Sequence, residues 1–302
     1  MIIREIDPLN IQVPRKSWKK KIVPYLFILP HFIFFLAFVF YPFIFSFISS
    51  FFSFDNISNF QYVGFDNYTK IFTPGTVYNK DFVDGLLHTL LYTVVMIPLL
   101  IIVPLLVAFL LFNVKSTKVR SVFQVILYAS SILSVSTVVW IWIMMFDTSK
   151  GLINNIFNIQ LSWRSGQPSA WIGIFILTLW SGIGGNMILF LSAISGISKS
   201  QFEAANLDGA NSWHKFWKII VPSLKFPITY ATVTGVIGGF NVYGQPLLFG
   251  GPSGTYETVM MNIQDYAFGS TPVKGVASAM AIVLGLIIIA VSIFQFKGEE
   301  NN

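Results

Sequence analysis

Six stretches of this chain contain no Asp, Glu, Lys or Arg over 21 to 27 residues each: Ile22–Phe45, Leu86–Phe112, Val122–Phe146, Trp171–Ile194, Ile228–Leu248 and Val276–Phe296. A helix crosses a bilayer with about 20 consecutive, mostly apolar residues. Each stretch is long enough, and none alternates with the period of two expected of a membrane barrel strand. The expected fold class is therefore an all-α membrane protein with six transmembrane helices. Charged residues make up only 11% of the chain, against about 25% in a soluble domain. That shortfall fits a surface facing lipid, where charge is expensive. The first stretch follows Lys19, Lys20 and Lys21, as in a signal peptide. It is too long for a signal core and no small-residue cleavage site follows it, so it is read as a retained anchor.

The basic residues orient the spans. With the N-terminus inside, one side holds Arg4, Arg15, Lys16, Lys19, Lys20, Lys21, Lys115, Lys118, Arg120, Lys199, Lys215, Lys218, Lys225 and Lys297. The other side holds Lys70, Lys80, Lys150, Arg164 and Lys274. Cytoplasmic loops carry the basic excess, so both termini are expected in the cytoplasm (N-in/C-in). The net charge of +6 is thereby read as a topology signal, and no nucleic-acid role is expected. The organisation is a cytoplasmic tail over 1–21, a six-span domain over 22–296 with a cytoplasmic loop at 198–225, and a cytoplasmic tail over 297–302.

Several chemistries are missing. There is no cysteine, hence no disulfide frame or thiolate site. Gly196–Ser200 reads GISKS, which lacks the glycine spacing and the Gly-Lys pair of a phosphate-cradling loop. His31, His88 and His214 lie in separate segments with no ligand spacing on one helix face, so no metal site is expected. Asp84 and His88 stand four residues apart and read as a local helix pair. Ion-coupled transporters usually place ionisable groups at membrane depth, and here only histidines could serve. Membrane-embedded enzymes need a cluster of acid, base or ligand side chains, and none stands out. A secondary transporter, a channel, a scaffold and an enzyme are the weaker readings. Energy for any transport would have to come from a partner.

The most informative segment runs from Ser198 to Pro227, SKSQFEAANLDGANSWHKFWKIIVPSLKFP. Ser200 and Glu203 have the spacing of a capping box, opening a short helix over Phe202–Asp208. Gly209 is placed to end it in a left-handed turn. Asn211 or Ser212 can cap a second helix, in which Trp213, Phe216, Trp217 and Ile220 share one face. His214, Lys215 and Lys218 lie off that face, and Trp with Lys on such a helix suits a membrane interface. Pro222 is expected to stop it. On residues alone, a docking element for a partner groove and a plain connector are equally good readings.

Glu203, Ala204, Ala205, then Asp208, Gly209, Ala210, then Ile219 and Pro222 resemble the EAA loop of ABC importer permeases, in the carbohydrate branch similar to maltose and glycerol-phosphate permeases. Val221 departs from the usual Leu, and Asn206 from a frequent basic residue. Val63-Gly64-Phe65-Asp66-Asn67-Tyr68 resembles that family's first outer loop, and Gly250-Gly251-Pro252 with Glu257-Thr258 its second. The resemblance extends from about Lys20 to Phe296 and implies the type I ABC importer permease fold in a bacterial inner membrane. It implies that Glu203, Ala204, Ala205, Asp208, Gly209 and Ala210 couple the spans to cytoplasmic ABC ATPase subunits, with Glu203 meeting a basic residue there. It also implies a second, different permease and an extracytoplasmic solute-binding protein. No cofactor is expected in this chain, ATP being bound by the partner subunit. The implied cargo is a carbohydrate, an oligosaccharide or a related polyol.

A sugar path needs aromatic faces and hydrogen-bonding groups at membrane depth, where unsatisfied polar atoms are costly. Trp180, Ser181 and Asn186 sit amid Gly182, Gly184 and Gly185; Asn241, Tyr243 and Gln245 precede an expected break at Pro246. For any one of them, hydrogen bonding between helices is the stronger reading, with the glycines allowing close packing as in Gly235-x-x-x-Gly239. As a set they are expected to include a sugar contact, unless the partner permease supplies the whole site.

Overall fold

The computed structural model describes residues 18–54, 60–250 and 256–300. The basic residues Arg4, Arg15 and Lys16, and Gly251 and Pro252 of the second outer-loop signature, lie outside the described residues. The chain divides into two units, Met1–Ile48 and Ser49–Asn302.

The first unit carries α1 (Trp18–Phe35), a π-helical turn (Leu36–Phe40) and the start of α2 (Tyr41–Ser49). The π turn lies just ahead of Pro42, which has no N–H to give the carbonyl of Phe38. Widening the helix there keeps the backbone paired, the Tyr41 N–H reaching Leu36 O.

In the second unit a two-residue hairpin, β1 (Phe52–Ser53) with β2 (Gln61–Tyr62), precedes α3 (Asp66–Phe72) and α4 (Val77–Phe112). The first outer-loop signature has a clear structural reason. Gly64 takes φ +57°, and buried Asn67 donates to the carbonyls of Ser50 (2.8 Å) and Phe52 (2.9 Å), tying α3 to β1 and the chain just before it. The order continues with α5 (Thr117–Ile132), α6 (Val135–Met145), α7 (Leu152–Phe157) and α8 (Ser169–Ser195). Next come α9 (Lys199–Leu207), α10 (Ser212–Lys215), a second π turn (Phe216–Ile220) and α11 (Val221–Ser223). The chain closes with α12 (Lys225–Phe240), α13 (Gly244–Gly250), α14 (Val259–Phe268) and α15 (Lys274–Glu300).

Among the described residues, four helices are long and apolar enough to cross a membrane: Val23–Ser49, Val77–Phe112, Ser169–Ser195 and Lys274–Gln295. Two bent pairs bring the number to six if each is one span: Thr117–Ile132 with Val135–Met145 (103°), and Ser212–Ser223 with Lys225–Phe240 (68°). The third apolar run is thus not the continuous helix its composition suggests. Ser134 interrupts it by accepting the Thr137 N–H (3.3 Å), an N-cap that starts α6 in a new direction. The fifth run breaks at 241–243, ahead of the expected position; Pro246 instead lies in the first turn of α13, where its missing N–H does no harm.

The bundle is built on α4, which packs against α8 and α12, with α5 laid on α8. Small residues permit the close approaches. A Cβ on Gly184 would stand 2.6 Å from the Tyr128 Cα, and one on Gly239 would stand 2.6 Å from the Thr93 Oγ1. A Cβ on Gly235 would meet Ile97 at an ordinary 3.6 Å. Pro98 and Pro104 lie inside α4. Pro104 leaves Leu100 O without its helical donor, and Asn186 of α8 supplies one, Nδ2 to Leu100 O at 2.7 Å.

Candidate functional site

The segment 198–225 folds as a hairpin of two helices. The first, α9, starts at Lys199 with Ser198 as its N-cap, and no side chain caps it. The expected box is not formed: the Ser200 hydroxyl pairs with that of Ser198 (2.8 Å), and Glu203 is exposed. The reason is register, because the helix begins at Lys199 and Ser200 already lies within its first turn. Gly209 makes the turn at φ +72°. Its N–H reaches Asn206 O (3.1 Å), and the Ala210 N–H reaches Ala205 O (2.9 Å), closing the end of α9. Asn211 then caps the second helix, its Oδ1 accepting the His214 N–H at 2.7 Å.

The apolar stripe of the second helix does not stay on one face. Phe216 and Ile220 are buried, whereas Trp213 and Trp217 are more than half exposed. The π turn over Phe216–Ile220 widens the helix, so residues four apart no longer align. Pro222 sets this up, as Pro42 does for the first π turn; it does not end the helix, which runs on to Ser223 before the bend at Leu224. The hairpin rests on the last turns of α4 through aromatic pairs, Phe202 on Phe112 (5.5 Å between ring centroids) and Phe216 on Phe109 (4.8 Å). Those supports could have been anticipated only by knowing that α4 ends beneath the hairpin.

The six loop residues divide between two sides of the hairpin. Ala204, Ala205, Asp208, Gly209 and Ala210 line an open groove of about 860 Å³, facing His214 and Lys218 of the second helix. Glu203 lies instead at a cleft of about 290 Å³ with Lys199, Lys215 and Asn113, floored by Phe109, Phe112 and Phe202. Among the described residues it makes no ion pair. The alanines matter by their size, since any larger side chain there would fill the groove.

Of the residues singled out for a sugar path, Ser181 and Gln245 line one small cavity, and the others are placed as follows. Trp180 is partly exposed and meets Trp142 edge-on at 5.9 Å, while its carbonyl accepts from Ser130 Oγ at 2.8 Å. The Asn186 amide is engaged with Leu100 O, as above. Asn241 caps α12 and donates to Ile237 O (2.7 Å). Tyr243 is half-buried in the break between α12 and α13. Gln245 lines a small cavity of about 150 Å³ with Ser131 and Ser181, beside the break at Leu133 and Ser134. There α13 packs on α6, so the interruptions of two runs lie together, which periodicity did not reveal. The expected Asp84–His88 pair is replaced by a longer-range contact: His88 Nδ1 lies 3.0 Å from Glu257 O and its ring packs on Trp171.

A 31% identical relative covers 91% of this chain and 87% of its own length: the arabinooligosaccharides transport system permease protein of Halalkalibacterium halodurans. The lactose transport system permease protein of Rhizobium radiobacter is 27% identical, over 73% of this chain and 76% of its own. Among solved structures, a chain of a bacterial ABC transporter involved in the import of the acidic polysaccharide alginate superposes with a TM-score of 0.81. The match is at 20% identity, over 94% of this chain and 96% of that one. The family described as the binding-protein-dependent transport system inner membrane component matches residues 71–296, which takes in α4, the hairpin and almost all of α15. A transport permease, not an enzyme, is therefore what these features describe, and the chain belongs to the family of binding-protein-dependent transport system inner membrane components.

Proposed function

We propose that this chain is one permease subunit of an ATP-binding-cassette importer for a carbohydrate, an oligosaccharide or related polyol, in a bacterial inner membrane. It spans that membrane six times with both termini in the cytoplasm, α5 with α6 making the third span, α12 with α13 the fifth, and the hairpin ahead of α12 staying outside the bilayer. The observation that carries the reading is the Gly209 hairpin, which carries a small-residue groove on one side and rests with its base on the end of the longest helix in the bundle. The hairpin acts as the coupling element: it enters a cleft of a separate ATPase subunit, and nucleotide-driven closure reaches α4 through the Phe202–Phe112 and Phe216–Phe109 contacts. A carbohydrate cargo is supported by the arabinooligosaccharide and lactose permeases to which the chain is similar. A binding protein on the outer side is supported by the family's description.

A second, different permease completes the translocation path. On this chain the path runs past the paired breaks, with Gln245, Tyr243, Asn241 and Trp180 as its nearest polar and aromatic groups and Asn186 behind them. Irregular backbone at membrane depth is tolerated where it is buried in protein or faces a water-filled cavity, which favours this location. The test is purification of the tagged chain from cells expressing the neighbouring transport genes. An ATPase subunit and a second permease should co-purify, and reconstituted vesicles should hydrolyse ATP faster with the binding protein and a mixture of oligosaccharides. Transport by the tagged chain alone, without any ATPase, would refute the proposal.

A further inference from the structure

The hairpin is held at its base and free at its tip. Phe202 of α9 and Phe216 of the second helix each rest on α4, but at the turn nothing lies within 4 Å of where a Gly209 Cβ would be. Beyond the backbone bonds of the turn, one side-chain hydrogen bond among the described residues joins the two helices: Lys215 Nζ donates to Asn206 Oδ1 across the Gly209 corner. We propose that Lys215 is a positioning residue for coupling, a strut whose bond to Asn206 fixes the angle between the two helices and hence the width of the groove between them. The proposal rests on reading the hairpin as the part that engages the ATPase.

The chemistry supports a strut over a simple surface charge. Lys215 is half-buried and lines the cleft that Phe109, Phe112 and Phe202 floor, a setting in which an alkyl stem can pack while its ammonium reaches a polar partner. The bond spans nine positions of sequence, and no local helix pairing explains it, because pairs within one helix lie three or four residues apart. Asn206 fits the part as well. A basic residue there would face the Lys215 ammonium across the corner and repel it, whereas an amide oxygen accepts from it. Among the described residues, no other side-chain hydrogen bond braces the two helices near their glycine corner. A load applied to the tip by a closing partner would open the angle before it moved α4, and the strut resists that opening.

The test is a double-mutant cycle in the whole importer, reconstituted with its ATPase, partner permease and binding protein, with ATP hydrolysis and the recovered ratio of ATPase to permease as the two readouts. Lys215→Met and Asn206→Leu should each lower hydrolysis about two- to fivefold, the range available to one partly exposed charge-assisted bond. The double variant should fall no further, and Lys215→Arg, which keeps a donor, should restore most of the rate. The ATPase-to-permease ratio should stay constant throughout. Unchanged hydrolysis in Lys215→Met, independent losses that multiply in the double variant, or loss of bound ATPase would each overturn the strut. Gly209→Val separates the two ideas: if it lowers hydrolysis while Lys215→Met does not, only the strut falls. If neither variant matters, the hairpin is not the coupling element.

Discussion

Gly209→Val perturbs the hairpin through its backbone alone. The residue sits at φ +72°, and no atom beyond the adjoining residues lies within 4 Å of an added Cβ, so the added Cβ itself meets no neighbour. What remains is intrinsic strain: a residue with a Cβ in the left-handed region loses roughly 1–2 kcal/mol, and a β-branched one stands at the upper end. That shift lowers the population of the turn about 5- to 30-fold against a loop in which the helices part. The bonds from the Gly209 and Ala210 N–H groups to Asn206 O and Ala205 O would be released with it. The assay is ATP hydrolysis and oligosaccharide uptake by the reconstituted importer, with a loss of at least about fivefold expected. Gly209→Asn is the informative control, because Asn tolerates the left-handed region and should retain most activity. Two results would refute the reasoning: a Val variant as active as the parent, or an Asn variant as damaged as Val, which would locate the requirement in the missing side chain and not in φ.

Three further outcomes are expected. With no native cysteine, Ser149→Cys should react with an impermeant thiol reagent from outside, whereas Ser116→Cys and Ser212→Cys should react only after permeabilisation; Ser253→Cys, outside the described residues, belongs with Ser149. Outside labelling at position 212 would end the proposed topology. Asn186→Leu should destabilise the detergent-solubilised chain by about 1–3 kcal/mol through the orphaned Leu100 carbonyl, and much less in a Pro104→Ala background, where a backbone N–H returns; equal losses in both backgrounds would show that the bond is not the cause. Trp180→Ala, Asn241→Ala and Tyr243→Phe should include at least one variant with altered apparent affinity or selectivity and normal assembly. Unchanged transport in all three would assign the sugar site to the partner permease.

The long apolar runs were legible because membrane burial imposes a length on composition. Trp171–Ile194 and Val276–Phe296 fall inside α8 and α15. The interruptions were not legible in the same way. Ser134 is a routine polar residue by composition, and only its cap to Thr137 reveals that the run bends by 103°. The Gly209 turn and the Asn211 cap were readable, since each depends on one residue's local chemistry. The capping box at Ser200 failed because spacing alone does not fix where a helix starts. The Trp213–Ile220 face failed because Pro222 is accommodated by a π turn, which changes the period on which the face was drawn. The sites of Asn186 and His88 were out of reach, because their partners, Leu100 and Glu257, stand 86 and 169 positions away.

The length of α4 has a mechanical consequence. Its 36 residues extend about 54 Å at 1.5 Å per residue, well beyond the ~30 Å of a hydrocarbon core. One end carries Phe109 and Phe112 under the hairpin. Near the other, Gly85 and Thr89 meet the Thr258–Val259 backbone, and Asp81 takes the Asn262 amide and the Tyr266 hydroxyl. In the proposed topology a single push-rod therefore touches both aqueous compartments, and a displacement at one end needs no relay of side chains to arrive at the other. Pro98 and Pro104 each remove one backbone hydrogen bond from the rod, which makes them the natural points of bending, and α8 clamps the second of these through Asn186. How much of a stroke is transmitted and how much is absorbed in bending is then set in the middle of the rod, so loosening that clamp should blunt signalling in both directions while leaving each end's own contacts intact.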